Sequence, residues 1–449
     1  MLEPDIVPVK EPELCVGIIL PEDQYLSIEI ELPLAPRYKC YSEMNFVMWL
    51  NANDNLKFEL VNKAINFNLN GKLIQTAKIW HITPAAKKIT LANKTGLRVK
   101  GITVGRGFHW AKKIDVYLAG SLEIRIVNNV LLVSNYIAME KYLMCVATSE
   151  MGAACPQSLI ESQTIVARSW MLANVETKHS ALGLDVCNDD CCQRYQGTTF
   201  LNERAIQGAM NTFGKVLLFN NKICDTRYFK SCGGITESFN NIWEGAEVPY
   251  LKPIADFADQ YRHEVLTLDS EKNVRKWIES TPHSFCSTHI VPEKNLKKYL
   301  GNVDVEGEYF RWSFRYPQKE ITALLNLKLN LEAQSILDIR PLKRGYSGRL
   351  TQVAVDYLDS KRKKQTIKIS DQFIIRRTFH ELFLYSSAFV VDIEKGKNNN
   401  PAAFILKGAG WGHGVGYCQI GALGMSLLGY SAEQIVYHYY PGSVLKKIY

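Results

Sequence analysis

Two hydrophobic rhythms divide the chain. From residue 13 to about 130, apolar and polar positions alternate with a period of two, as in Ile28-Glu-Ile-Glu-Leu32, Gly101-Ile-Thr-Val104 and Val116-Tyr-Leu118. Successive side chains of a strand point to opposite faces, so this rhythm predicts half-buried strands separated by turns. Between residues 136 and 215 the spacing becomes helical. Tyr136–Ala147 places Ile137, Tyr142, Leu143, Val146 and Ala147 near one face. After Pro156, whose missing N–H suits a helix start, a second helix is expected from Ser158 to about Asn174, with Leu159, Ile160, Ile165, Val166, Trp170 and Met171 as its stripe. Glu203–Asn211 reads as a shorter helix, and β-pattern returns over Lys215–Asp225. Helical pieces are expected near Val274–Ile278, Glu293–Leu300 and Ile321–Leu325, strands at 349–369 and 389–407, and a helix from Ala422 to Tyr437. The predicted class is α+β, with helices packed on mixed β structure. Its expected parts are a β-rich N-terminal region (1–125), a core (126–260 and 345–449) and an inserted mixed α/β subdomain (261–344).

Before the last helix lies Gly408-Ala-Gly-Trp-Gly-His-Gly-Val-Gly-Tyr-Cys-Gln-Ile-Gly-Ala422, with glycines at 408, 410, 412, 414, 416 and 421. Glycine is costly in ordinary strands and helices, so this density predicts positive φ or close approach of the backbone to something. Trp, Ile and Val within the run argue against a flexible linker. Two readings follow: a tight structural turn with a buried histidine, or a wall of a cleft displaying Trp411, His413 and Gln419.

Composition changes this picture little. The 449 residues are 47% hydrophobic and 22% charged, which is ordinary for a globular protein with a large core. A formal charge of +8, spread along the chain, is too diffuse to argue for nucleic acid and suits an anionic polymer or envelope surface. The densest basic run, Lys361-Arg-Lys-Lys364, lies between two alternating stretches and reads as a solvated hairpin tip. Lys397-Asn-Asn-Asn400 reads as an exposed loop. No apolar span reaches the ~18 residues of a transmembrane helix, and the first residues carry no secretory signal as written.

Eleven cysteines do not form a small-protein disulfide framework. Cys15, Cys145 and Cys224 sit among apolar residues and read as core. The segment from His179 to Gln193 is different. His179, Cys187, Cys191 and Cys192 supply one imidazole and three thiols, a donor set that zinc prefers. The alternatives are reduced, inert thiols or a Cys187–Cys192 disulfide. Two further places could carry chemistry. Glu150 ends an apolar helix beside small residues, where a carboxyl can act as a general acid. In Tyr228-Phe-Lys-Ser-Cys-Gly-Gly234, period-two alternation would put Tyr228 and Lys230 on one strand face, with Ser231 beside them, suited to a polymer rich in amides and hydroxyls. No P-loop, dinucleotide fingerprint or Ser/His/Asp order is present.

Together these segments resemble the SpoIID/LytB family, named for stage II sporulation protein D and the amidase enhancer. The matching residues are Tyr142-Leu143 with Ser149-Glu150-Met151, then Gln163 with Ala167-Arg-Ser169. Asp185-Val-Cys187, Cys192-Gln-Arg-Tyr-Gln-Gly197 and Tyr228 through Thr236 follow in order. Trp243, Pro249-Tyr-Leu251, Arg344 through Arg349, and Gly410 through Ala422 complete the series. The resemblance spans roughly residues 120–449 and leaves the β-rich N-terminal part outside.

The resemblance implies a lytic transglycosylase that cuts peptidoglycan glycan strands stripped of stem peptides, with Glu150 matching the family's essential glutamate. It implies a location in the cell envelope and, through the LytB name, an alternative role as a non-catalytic partner of an N-acetylmuramoyl-L-alanine amidase. It also implies zinc in the cysteine loop of some members, where a histidine often precedes the last cysteine. Here that neighbour is Cys191. A metal-dependent hydrolase built on this loop is a weaker third reading, because thiolate-rich zinc sites are more often structural and no general base accompanies this one.

Overall fold

The computed structural model describes the chain apart from residues 1, 5, 87–89, 108–110, 153, 174, 301–307, 397 and 398. Asn174, expected to end a helix, and two residues of the expected loop at 397–400 therefore lie outside the described residues. The fold is α+β, with helices and several separate sheets. Two compact units organise it: Met1–Asp225 with Lys298–Val303 and Leu445–Tyr449, and Thr226–Lys297 with Asp304–Val444.

The first unit holds two large sheets. One has seven strands in the order Val186–Cys187, Glu13–Ile19, Val130–Ala138, Ser121–Val127, Ile79–Pro84, Tyr38–Ser42, Asn45–Leu50. The other has six, running from Lys112–Leu118 through Leu97–Val104, Ser27–Glu31, Asn55–Val61 and Ala64–Leu69 to Lys72–Ala77. The period-two rhythm explains them. In Ser27–Glu31, Ile28 and Ile30 are buried, while Glu31 faces out and pairs across the sheet with Arg98 (2.8 Å) and Lys100 (2.7 Å). Inward-facing Phe58 and Phe67 stack at 5.0 Å and pack on Trp80.

The helices follow their spacing, with one shifted start. The first runs Met139–Glu150, not from Tyr136, because Tyr136 and Ile137 pair with Cys15 and Leu14 in the seven-stranded sheet. Tertiary strand pairing overrides helical periodicity there. The second helix is Gln157–Ala173 and the third Glu203–Asn211, whose N-cap Asn202 accepts a hydrogen bond from the Ala205 amide. The N-terminal strands also reach into the expected core. Glu13–Ile19 pairs in parallel with Val186–Cys187, so the cysteine loop begins on their sheet.

The second unit carries a three-stranded sheet with Pro401–Ala409 between Arg311–Pro317 and Phe389–Lys395. A meander of Ser335–Arg344, Leu350–Leu358 and Lys364–Ser370 forms another. Segment 261–344 thus shares both sheets with residues 350–409, and the boundary at 344/345 falls inside a hairpin. The basic run is a hairpin tip, where the Asp359 carboxylate accepts the Lys361 and Lys363 amides. The expected Ala422–Tyr437 helix is two helices, Gln419–Leu427 and Ala432–Tyr439. Gly429, at φ 89°, breaks it, and Ser431 caps the second piece in a capping box with Gln434. Among the described residues, no helix is long and apolar enough to cross a membrane.

Candidate functional site

In the first unit, Glu150 ends the helix Met139–Glu150 and is buried, 8% exposed. Its Oε1 accepts the backbone N–H of Arg194 at 3.1 Å. That amide belongs to Gln193-Arg-Tyr-Gln-Gly197, a segment fixed on every side. The Tyr142 hydroxyl donates to the Gln193 side chain at 3.1 Å, and Gln193 donates to the Ala167 carbonyl at 3.1 Å. Tyr195 stacks on Tyr142 at 4.9 Å and donates to Asn135 at 2.7 Å. Gly197 takes φ 57°, and a Cβ there would overlap the Tyr117 carbonyl oxygen. Two elements thus hold the carboxyl of Glu150, a helix end and a braced loop.

The helix itself is anchored by a buried ion pair. Arg168 is fully buried, and its Nε donates to Glu140 Oε1 at 2.8 Å. The same carboxylate accepts the Gly214 amide at 3.2 Å and the Tyr449 hydroxyl at 2.8 Å. A buried guanidinium is costly unless paired and hydrogen-bonded, and here both conditions are met.

The cysteine loop lies in the same unit. His179, Cys187, Cys191 and Cys192 bring one ligand atom each to within 4.8 Å of one another. The Cys187 and Cys191 sulfurs are 3.1 Å apart, and Cys191 lies 3.7 Å from His179 Nε2. Hydrogen bonds from Cys187 and Cys192 hold the Cys191 thiol far below the usual thiol range, with His179 acting in the same direction. Such a set fits zinc chemically: three sulfurs and an imidazole, with a thiolate favoured. Apolar packing of Cys15, Leu20, Leu132 and Leu184 against Cys187 backs the loop.

Sequence reading missed the residues that tie this loop down. Arg106 donates to Asp23 (2.7 Å), to Asn188 (2.7 Å), to Asp189 (3.2 Å) and to the Ile18 carbonyl (3.1 Å). Asp189 also accepts the amides of Gly105 and Arg106. Asp190, which is ion-paired to Arg194, has its carboxyl pushed up to about 7 by burial; Arg194 opposes the shift, and Asp189 and Glu150 add to it. A small depression, with room of about 30 Å³, opens beside these groups, lined in part by Asn188, Asp189, Asp190, Arg194 and Gln196. Consecutive acids in the loop were the only local signal; Arg106 lies some eighty positions away.

The other expected site residues belong to the second unit. Tyr228-Phe229 pairs in parallel with Tyr417-Cys418, a strand too short for the expected alternation. Tyr228 is half-buried and Lys230 is buried. Ser231 is fully buried. Gln419 is buried at the first turn of its helix. Trp411 stacks on Tyr385 at 4.1 Å and on Tyr309 at 5.0 Å, while its backbone bridges to Ser231.

The glycine-rich run does take positive φ, at 72°, 101°, 92° and 80° for Gly410, Gly412, Gly414 and Gly416. Gly414 shows why. A Cβ there would lie 2.5 Å from the guanidinium carbon of Arg349, which also donates to the Gly412 carbonyl and to the Ser347 hydroxyl. Ser347 in turn donates to the buried Glu237 at 2.7 Å. The Arg344–Arg349 segment thus braces the wall.

His413 is held by its neighbours. Burial pulls its imidazole well below its usual pKa, and Arg227, Arg376 and Arg349 add to the effect. Nδ1 accepts the Val415 amide at 3.1 Å, and Nε2 donates to the Tyr228 carbonyl at 3.1 Å. Phe229 and Trp243 flank the ring. With both nitrogens bonded to backbone, replacing His413 with Ala is expected to cost about 1–3 kcal/mol of stability. Urea unfolding checks this, and an unchanged midpoint would refute the structural role.

The comparisons divide along the same lines. The stage II sporulation protein model matches residues 127–219, and a domain of unknown function, DUF8618, matches residues 237–416. An uncharacterized protein of Brachyspira hyodysenteriae is 24% identical over 85% of this chain and 86% of its own length. The amidase enhancer of Bacillus subtilis is 25% identical over 67% of this chain, which spans only 39% of that longer protein. Stage II sporulation protein D of Bacillus amyloliquefaciens is 25% identical over 68% of this chain and 73% of its own. The sporulation-protein match falls on the segment that carries the Glu150 helix, the Glu140–Arg168 pair and the cysteine loop, and relatives of both names align over two thirds of the chain: residues 127–219 form a stage II sporulation protein domain, and the chain is similar to the SpoIID/LytB proteins.

Proposed function

We propose that this protein is a peptidoglycan lytic transglycosylase of the cell envelope, acting on denuded glycan strands with Glu150 as its one acid/base. The observation that carries this reading is a buried carboxyl at a helix end, oriented by the Arg194 amide inside the sporulation-protein match. Glu150 donates its proton to the oxygen joining N-acetylmuramic acid to N-acetylglucosamine, and the C1–O bond breaks. The muramic C6 hydroxyl then attacks C1, and its proton passes to the Glu150 carboxylate. The product is a 1,6-anhydro sugar, no water is consumed, and the carboxyl ends as it began. A single group suffices because the second step reverses the proton transfer of the first. Ordinary glycosidases need two carboxylates.

Tyr228, Lys230, Ser231, Trp411, His413 and Gln419 are the proposed substrate-binding group, although the full burial of Ser231 and the backbone bonds of His413 favour shaping a surface over touching sugar. His179, Cys187, Cys191 and Cys192 are proposed to hold one zinc ion, whose contribution is to fix the loop that carries Arg194. Mass spectrometry of products from denuded strands tests the activity: 1,6-anhydro ends are expected, and hydrolysed reducing ends or intact strands would overturn it. A second reading, a binding partner that activates an N-acetylmuramoyl-L-alanine amidase, is favoured by the amidase enhancer relative. Intact strands together with stimulation of an added amidase would select it.

A further inference from the structure

We propose a second metal site, buried in the second unit and made by Cys232, Asp256, Cys286 and Cys418, that holds a zinc ion in a structural role. All four residues are buried, and one ligand atom from each lies within 4.8 Å of the others. The Cys232 sulfur is 3.2 Å from Asp256 Oδ2 and 3.4 Å from the Cys286 sulfur. A tetrahedral ion with Zn–S bonds of ~2.3 Å needs ligand atoms ~3.8 Å apart, so small side-chain shifts suffice.

The surroundings are those of a thiolate site. The amides of Cys232 and Gly421 both donate to the Cys418 sulfur at 3.2 Å, and the Gly234 amide donates to the Cys232 sulfur at 3.3 Å. The hydroxyl of Ser284 lies 3.6 Å from the Cys286 sulfur. Asp256 is oriented as a ligating carboxylate is. Its Oδ1 is held by His438 Nε2 (3.1 Å) and the Tyr439 hydroxyl (2.8 Å), which leaves Oδ2 toward the sulfurs. Three thiolates and a carboxylate around a divalent cation leave excess negative charge. The guanidinium groups of buried Arg349 and half-buried Arg311 interact electrostatically with these sulfurs and offset it.

A Cys232–Cys286 disulfide would account for two residues only. It would leave the Cys418 sulfur and Asp256 Oδ2, which belong to the same cluster, without a role. A soft divalent cation accounts for all four at once. It joins segments up to 186 residues apart and fixes Cys418, two positions after the last glycine of the 410–416 run, so metal binding and folding of this wall are one equilibrium.

The test uses the full chain, expressed with zinc in the medium and purified without chelators, alongside a Cys187→Ser/Cys192→Ser variant that disables the cysteine loop and leaves the buried cluster whole. Elemental analysis of the variant should still find one zinc per chain. Cobalt substitution should give it intense thiolate charge-transfer bands and the visible bands of a tetrahedral site. Cys286→Ser should remove this ion and its bands while sparing the loop's ion. If Cys286→Ser does not fold, the double variant carries the test alone. A double variant free of metal, or a peptide map joining Cys232 to Cys286 by a disulfide, would overturn the proposal. An empty cysteine loop would instead show as wild-type protein with one ion, lost only on Cys286→Ser.

Discussion

Glu150→Gln is expected to abolish cleavage of denuded glycan strands, with turnover falling by at least about 10³-fold, while the fold is retained. The substitution removes the only proton that the proposed mechanism moves. It changes the shape of the side chain little. The Gln carbonyl oxygen can still accept the Arg194 amide that Glu150 accepts at 3.1 Å, so the helix end and the braced loop keep their contact. The amide can neither protonate the glycosidic oxygen nor take the proton from the C6 hydroxyl, so both steps fail together. The measurements are release of anhydro-sugar products and the urea midpoint. Near-wild-type release would refute the assignment. Lost release with a lowered midpoint would point to a structural role for Glu150.

Arg168→Met is expected to be among the most destabilising single changes in the first unit, costing about 3–5 kcal/mol. Methionine fills much of the space left by the arginine stem but leaves the Glu140 carboxylate buried, with only the Gly214 amide and Tyr449 hydroxyl as partners. It also frees the Lys215 carbonyl, which Arg168 Nη1 now satisfies at 3.0 Å. The ion pair joins the helix that ends at Glu150 to Gln157–Ala173, so activity should fall with stability. Adding Glu140→Gln removes the stranded charge and should restore part of the loss. With two compact units, unfolding has to be followed by a probe specific to the first one. A midpoint unchanged from wild type would show that the pair contributes little.

The amino-acid sequence by itself determined the class of most elements. Period-two alternation marks strands whichever sheet they join, and the helices Glu203–Asn211 and Glu293–Leu300 ended where their spacing predicted. It also marked the family, the cysteine loop and the positive φ of the glycine-rich run, because each depends on residue type at short range. Tertiary structure decided the rest. Tyr136 and Ile137 became strand because Cys15 and Leu14, 121 and 123 positions upstream, pair with them. The last apolar run became two helices at Gly429, where one left-handed residue outweighed continued hydrophobic spacing. Local sequence left two readings of the glycine-rich run open, and only the fold shows that both His413 ring nitrogens bond to backbone and that Trp411 stacks on Tyr309 and Tyr385. Nothing in the local sequence singles out Arg106, and only the fold sets it against Asp23, Asn188 and Asp189. The cysteines at 232, 286 and 418 lie far apart in the sequence, each with no other cysteine beside it. Their chemistry depends on convergence with Asp256, and convergence is a property of the folded chain alone.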